Sequence, residues 1–455
     1  MEARTPTAAG QPRTRSQRPA PGSELELQVE ALAHGGRGIA RADGYVVFVA
    51  GALPGDSVRA RVAKAKRNHA EAVAVEIVRP APDRVPDRCV HEGEPCPGAS
   101  WQGLPYERQL AEKHAQVDDA LRRIGRLDGF ELDAIQPSVE PWRYRNKLEY
   151  SFGQRDDESL ALGFHRRGSW HEVVDVDDCH LASEASNAAR NEVRAWASAE
   201  GIPAYDARER DGVLRNLVVR DSARTGQVQT RLVTSPAEFT RPPVDLHTVI
   251  EGPGSGTDGP TGALGEEFLA EELCGLRFRA SPTAFLQTNT PTAEALYGIA
   301  TELAGLTGRE RVFDLFCGIG TITLSLARHA GEVWGLESVP EAIADAEHNA
   351  AVNEIENARF VAADARLGIR PLIERAGSPD VVVVDPPRAG LSKKVVRRVI
   401  ECDAKRVVYV SCNPTTLAPN AAQLAEAGYS LRRVRPVDMF PQTPHVECVA
   451  LLERE

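Results

Sequence analysis

Asp314-Leu315-Phe316-Cys317-Gly318-Ile319-Gly320-Thr321 is the stretch that decides the fold. It joins an apolar run, Val312 to Leu315, to a segment from Thr321 to Ala327 that reads as the opening of a helix. Glycines between a strand and a helix let the backbone approach a ligand at the carboxyl edge of a sheet, so this is a nucleotide-binding loop. The spacing Gly318, Gly320, Thr323 lacks the third glycine of the dinucleotide fingerprint. On the loop alone a hydride-transfer enzyme remains an open alternative.

Outward from the loop, strands and helices alternate. Val333 to Leu336 reads as a strand, Glu341 to Asn353 as a helix and Arg359 to Ala362 as a strand. Strand Val381 to Val384 precedes helical Lys393 to Ile400, and strand Val407 to Val410 precedes helical Thr415 to Glu426. This order predicts a doubly wound α/β domain with a parallel sheet. The last two strands, about Leu431 to Pro436 and Val446 to Leu452, have no helix between them and are expected to pair as an antiparallel edge.

Three acids fall at strand ends. Glu337 ends the second strand, where a carboxylate can accept hydrogen bonds from both hydroxyls of a ribose. Asp364 follows the third strand. Asp314 would repel a pyrophosphate yet tolerate an ammonium, which favours S-adenosylmethionine over a dinucleotide. Each acid has an ordinary alternative as a cap for the helix that follows it.

Upstream, Leu25 to Val78 shows short apolar alternations broken by Gly35, Gly36 and Gly38, the pattern of a small five-stranded barrel. Arg59, Arg61, Lys64, Lys66 and Arg67 concentrate positive charge on it, as an oligonucleotide-binding surface requires; a solvated hairpin accounts for the same charges. The spans expected are a disordered tail at 1–22, the barrel at 23–82, a central β-rich region at 83–280 and the catalytic α/β domain at 281–455. Within the central region, a helix is expected from Tyr106 to Ile124 and strands from Tyr144 to about Val233. Ser235 to Gly265, dense in Pro, Gly and Thr, reads as a surface loop or an inter-domain connection.

Composition bounds these readings. The chain has 455 residues, 42% hydrophobic and 26% charged, which is a soluble multidomain protein. Its longest apolar runs are strand-sized, far short of the roughly 20 residues that span a bilayer. The first 22 residues lack a secretory h-region, so a cytoplasmic location is expected. A net charge of −11 argues against general adhesion to polyanions and leaves any RNA contact to local basic patches. Eight cysteines in a chain of this length do not form a disulfide scaffold and are read one by one.

Asp314 to Thr321, Asp385-Pro386-Pro387-Arg388, Ser411-Cys412-Asn413-Pro414 and His445-Val446-Glu447 occur in this order and together resemble the uracil-5-methyltransferases of transfer and ribosomal RNA. Ser281 to Asn289 is similar to the segment that opens the catalytic domain in that family, and the N-terminal barrel resembles the TRAM domain of many members. The resemblance implies a doubly wound class I methyltransferase sheet, an N-terminal OB-like TRAM barrel and a β-rich central domain, acting as a monomer. It implies S-adenosylmethionine as cofactor, contacted by Gln287, Phe316, Thr321, Glu337, Asp364 and Asp385. Phe316 as ordinary core and Thr321 as a helix N-cap are the plain alternatives.

Uracil C5 is a poor nucleophile, and a thiolate adding to C6 makes it electron-rich, which divides one hard step into easier ones. Cys412, at the carboxyl edge in a turn fixed by Pro414, is placed for this role, its pKa lowered by the following helix N-terminus. A small buried hydrophobe is the usual alternative for a cytosolic cysteine. By the resemblance Glu447 is the base that removes the C5 proton before Cys412 leaves; His445 has no derived role. The Asp-Pro-Pro segment also resembles that of amino-methylating DNA enzymes, which need no nucleophilic cysteine. The expected partner is structured RNA, with 23S rRNA favoured by the TRAM-like barrel and tRNA the alternative, and the target base must leave its stack.

Related enzymes often hold an iron–sulfur cluster on four cysteines, three of them closely spaced. Here Cys89, Cys96 and Cys179 are present, but Ala99 stands where the third would be, so an intact cluster is not expected; degenerate cysteines or weak zinc binding are the alternatives. An RNA-binding adaptor on the same fold is disfavoured by the joint presence of Cys412, Glu447 and the cofactor loop. A methylthiotransferase reading needs a radical-enzyme cysteine triplet, which is absent from this sequence.

Overall fold

The computed structural model of the protein describes residues 18–166, 169, 171–237, 246–250, 260–263 and 268–454. Residues 1–17 of the expected tail lie outside them. The chain divides into two compact units, residues 1–86 with 103–105, and residues 87–102 with 106–455.

The first unit is a closed barrel of β1 (Glu24–Leu32), β2 (Gly38–Ala42), β3 (Tyr45–Ala50), β4 (Ser57–Ala65) and β5 (His69–Arg79), in the order β1-β2-β3-β5-β4. Period-two alternation builds it: Tyr45, Val47 and Val49 point into the core while Val46 and Phe48 are half-buried outside. Gly38 is required where β2 crosses β1, because a Cβ there would lie 2.7 Å from Val29 Cγ1. Buried Asp56 accepts from the Leu53 and Ala81 backbone N–H groups, each at 2.9 Å, and from Arg84 at 2.7 Å, which satisfies its charge. Basic residues of β4 and the turn after it are paired. Arg59 bonds Glu76 and Arg61 bonds Glu24 at 3.0 Å, and Lys66, just past the strand, bonds Glu71 at 3.0 Å.

The second unit opens with a minute hairpin, β6 (Val90–His91) and β7 (Glu94–Pro95), then α1 (Tyr106–Asp119), which widens into a π turn at Ala120–Ile124, and β8 (Glu131–Leu132). A seven-stranded sheet follows: β9 (Lys147–Gln154), β10 (Leu160–His165), β11 (Val173–Asp175), β12 (Leu214–Asp221), β13 (Val228–Thr234), β14 (Leu246–Ile250) and β15 (Pro260–Ala263), in the order β11-β10-β9-β12-β13-β14-β15. Helix α2 (Glu184–Ala199), capped by Ser183, buries Ala189, Val193 and Ala197 in the same core as Leu217 and Leu232. The stretch 235–265, read from its Pro and Gly content as a loop or connection, thus carries two further strands. Leu246-His247-Thr248-Val249-Ile250 has the β-branched content of a strand, and pairing to β13 overrides the flanking breakers.

After the hairpin β16 (Leu269–Leu273) and β17 (Leu276–Ala280) comes the α/β domain: α3 (Thr290–Ala304), β18 (Arg311–Leu315), α4 (Thr321–Ala327), β19 (Glu332–Glu337), α5 (Pro340–Val352), β20 (Ala358–Ala362), α6 (Ala365–Ala376), β21 (Val381–Val384), α7 (Lys393–Glu401), β22 (Arg406–Ser411), α8 (Pro414–Glu426), β23 (Tyr429–Val437) and β24 (Glu447–Arg454). Its sheet runs β20-β19-β18-β21-β22-β24-β23-β8, parallel from β20 to β22. Both faces are covered. Val382 and Val384 share one core with Phe313 and Leu315, whereas Val381 and Val383 share the other with Val312. Each such valine contributes about 1.5–3 kcal/mol on burial.

The two last strands do pair antiparallel, but they are not the edge. β24 inserts between β22 and β23, and β8 completes the sheet, parallel to β23. Burial explains the choice: the β24 segment Cys448-Val449-Ala450 is fully buried, whereas β23 alternates with exposed Ser430 and Arg432. Helix α6 carries an internal Pro371, which obscured its period in the sequence.

Candidate active site

Strand order reverses between β18 and β21, and the crevice at their carboxyl ends gathers the loop after β18, Asp385 after β21 and Cys412 after β22. The loop is shaped by three left-handed residues, Phe316 (φ 69), Gly318 (φ 53) and Gly320 (φ 86). For Phe316 this conformation costs on the order of 1–3 kcal/mol, and it is held by the Phe316 and Cys317 N–H groups donating to the Leu336 carbonyl. Gly320 is also sterically required, since a side chain would press on Ala346 and Phe360 at 3.3 Å.

Under this loop Asp314 is fully buried. The Thr323 hydroxyl donates to its Oδ2 at 2.5 Å, while Oδ1 has no partner among the described residues. Burial, aided by Asp385 and Glu337, pushes its pKa up to about 7. Glu337 accepts through Oε1 from the Ser338 N–H at 2.6 Å and the Val339 N–H at 3.0 Å, and through Oε2 from the Gly318 N–H at 3.3 Å. It therefore fixes the loop and retains lone-pair capacity on Oε2. Asp364 caps α6 by accepting from the Arg366 N–H at 2.8 Å. Phe316, Ser338 and Asp364 line one cleft of about 210 Å³, closed on its other side by Ser392 and Val395. Phe316 thus packs against the main core and also lines this cleft beside Asp364.

Two other residues stand apart from that cleft. Thr321 is the first helical residue, with Gly320 as the N-cap, and its hydroxyl donates to buried Tyr297 at 3.2 Å. Gln287 is buried between β17 and α3, where its carbonyl accepts from Asn146 at 3.1 Å.

Cys412 is half-buried in the turn from β22 to α8. Asn413 caps α8 by accepting from the Thr415 N–H at 3.1 Å and donates to the Arg388 carbonyl at 3.3 Å, which ties the Asp385–Arg388 loop to the cysteine turn. The Arg388 guanidinium meets His445 Nδ1 at 3.4 Å and opposes the negative charge around both Cys412 and Glu447. His445 thereby gains a place that no sequence signal offered, beside the guanidinium that opposes the charge around Cys412 and Glu447. Glu447, 3% exposed at the start of β24, is pushed up to about 8 by burial and by Asp385. Burial alone takes Asp385 up to about 7.

The thiol itself departs from expectation. A helix N-terminus was to lower Cys412; instead its pKa is pushed up to about 11 by burial, Glu447 and Asp385, with Arg388 only partly offsetting them. The physical reason is burial first, which disfavours the thiolate, with the two acids adding to it, while the α8 terminus is already served by its Asn413 cap.

Three buried carboxyls with raised pKa values surround one crevice, where Arg388 offsets only part of the charge at Glu447. A sulfonium bearing an ammonium fits that deficit, and the unpartnered Asp314 Oδ1 fits a donor from the same group. Elsewhere in the same unit, Cys89, His91 and Cys96 bring their ligand atoms within 4.8 Å of one another, all three buried, and Cys179 lies in the same core. His91 was missed because sequence reading looked only for cysteines.

Residues 263–455 match the family model tRNA (uracil-5-)-methyltransferase, and residues 20–75 match the TRAM domain. An uncharacterised RNA methyltransferase of Bacteroides thetaiotaomicron is 38% identical over 93% of this chain and 100% of its own. Another, from Halalkalibacterium halodurans, is 36% identical over 94% of this chain and 96% of its own. Among solved structures, Pyrococcus abyssi tRNA (uracil-54, C5)-methyltransferase in complex with S-adenosyl-L-homocysteine superimposes with a TM-score of 0.77 at 28% identity, covering 94% of this chain and 100% of that one. No helix of the described residues is long and apolar enough to cross a membrane. The chain belongs to the tRNA (uracil-5-)-methyltransferase family of S-adenosylmethionine-dependent RNA methyltransferases and carries an N-terminal TRAM domain.

Proposed function

We propose that the protein methylates C5 of a uridine in structured RNA, with 23S rRNA as its first substrate, through a covalent bond from Cys412 to C6 and with Glu447 as the base. The observation that carries this reading is the shared environment of Cys412 and Glu447, two protonatable groups coupled to each other and to Arg388 at the edge where Asp385 and the glycine loop converge. Gln287, Phe316, Thr321, Glu337, Asp364 and Asp385 would hold S-adenosylmethionine, with Asp314 beneath them. When bound, that molecule supplies an electrophilic methyl group on a sulfonium.

The residues then divide the work. Cys412 gives its proton to water and its sulfur bonds to C6, and the C5=C6 electrons move toward O4, making C5 nucleophilic. Positive charge beside Asp385 counteracts the repulsion that holds the thiol protonated, so nucleophile formation is linked to cofactor binding. After methylation Glu447 removes the C5 proton, the ring double bond re-forms and Cys412 leaves as thiolate. Arg388 favours the ionised forms of both groups, and Asn413 keeps Arg388 and Cys412 in register.

The choice of RNA rests on the TRAM barrel, whose exposed Arg–Glu pairs are weak enough for phosphates to displace. A tRNA target is the second reading, favoured by the Pyrococcus enzyme, whose 94% coverage of this chain necessarily includes much of the barrel. Mass-spectrometric mapping of 5-methyluridine in RNA from cells lacking the gene tests both. Loss of one 5-methyluridine in 23S rRNA is the expected result; loss from tRNA selects the second reading, and no change in either rejects the proposal.

A further inference from the structure

The structure places Cys89, His91, Cys96 and Cys179 together, and we propose that these four hold a single structural zinc ion in place of the four-cysteine iron–sulfur cluster that the family resemblance implies. The cluster does not fit this chain. Its third thiolate would have to come from position 99, which is an alanine buried to 1% exposure, so only three sulfurs are available.

A tetrahedral zinc site does fit the donors. Three thiolates and one imidazole form one of the usual closed structural sets, with Zn–S about 2.3 Å and Zn–N about 2.0–2.1 Å, which sets ligand atoms roughly 3.5–3.8 Å apart. Cys89 Sγ lies 3.1 Å from His91 Nε2, and the atoms of Cys89, His91 and Cys96 are mutually within 4.8 Å. Cys179, fully buried in the same core, stands outside that 4.8 Å group but close enough for its sulfur to interact electrostatically with those of Cys89 and Cys96, and it is the nearest candidate for the fourth ligand.

The surroundings hold these ligands in position. Gln102, buried, accepts from the Cys89 N–H at 2.7 Å and donates to the Cys89 carbonyl at 2.9 Å. Asn187 does the same for Cys179, at 2.8 and 3.1 Å. Amide clamps of this kind on ligand backbones are outer partners that hold metal ligands in position. The cysteine from the loop before α2 and the three donors around β6 and β7 come from segments about 80 residues apart, so one ion would staple the start of the unit to its central sheet.

Metal analysis of the full-length protein, expressed and purified without oxygen, tests this. About one zinc per chain is expected, with iron and acid-labile sulfide near zero, and Co(II) exchanged for the zinc should show the visible bands of tetrahedral thiolate coordination. His91→Ala and Cys179→Ser should each lose most of the zinc, while His91→Cys retains it. Iron with matching sulfide, absence of any stoichiometric metal, or full zinc in soluble His91→Ala protein would overturn the proposal. If His91→Ala does not fold, the metal content and Co(II) spectrum of the unaltered protein still decide it.

Discussion

Cys412 and Cys89 are both thiols shielded beside a sheet, and their neighbours drive them in opposite directions. Burial, Glu447 and Asp385 raise Cys412 to about 11, against Arg388 and a backbone hydrogen bond. Cys89 faces Cys96 and His91, and the hydrogen bond between the two thiols holds Cys89 below the ordinary range and Cys96 above it. A thiol among carboxylates stays protonated until positive charge arrives, whereas one beside a second thiol and an imidazole ionises more readily. The first suits a nucleophile released on demand and the second a permanent ligand. Burial is common to both, so burial cannot be what separates a reactive cysteine from a structural one.

The comparison breaks most simply at Cys412. Cys412→Ala should reduce methyl transfer by at least about 10⁴-fold while leaving S-adenosylmethionine affinity within a few-fold, as read by tritium incorporation and calorimetry. Substantial activity in that variant would end the covalent reading. Glu447→Gln is expected to slow turnover by about 10²–10⁴-fold and to trap a protein–RNA adduct that survives denaturing electrophoresis. Absence of the adduct would place the base elsewhere.

Arg388 sharpens the contrast. Because its charge lowers both Cys412 and Glu447, Arg388→Gln should move the acidic limb of the kcat/KM profile to higher pH by about one unit. An unmoved limb would remove Arg388 from the site's electrostatics. The acids also predict a stability trend. Asp314, Asp385 and Glu447 have folded-state pKa values above their ordinary ones, so folding favours their protonated forms; stability is full below about pH 4 and falls as pH rises through 7 to 8. Tm should therefore decline from about pH 5 to 9, and Asp385→Asn should flatten part of that decline. Saturating S-adenosylmethionine should flatten it as well.

The smallest effect is expected on the barrel. Arg59→Ala removes a side chain already bonded to Glu76, so RNA affinity should fall only a few-fold, with the salt slope reduced by about one. A larger loss at constant salt slope would point to base contact rather than phosphate contact.

Much of this was legible in the chain. The glycine loop and the apolar runs around it specify a doubly wound sheet, because local periodicity and turn chemistry are written in consecutive residues. Position 412 stood out for the same reason: a cysteine flanked by Ser411, Asn413 and Pro414 just after an apolar strand announces a turn at a sheet edge. The strands at 246–250 and 260–263 were obscured by Pro and Gly, and the place of β24 inside the sheet depends on what else competes for its apolar face.

What the sequence by itself determined is the alternation of strand and helix in the α/β domain, the cofactor loop and the place of Cys412 at a sheet edge. Tertiary structure alone decided the surroundings of that thiol, the link from His445 to Arg388, and the gathering of Cys179 into the core that holds Cys89 and Cys96. These depend on charges and sulfurs separated by tens of residues. Electrostatic energy is set by distance and dielectric in space, and neither quantity is encoded by proximity along the chain.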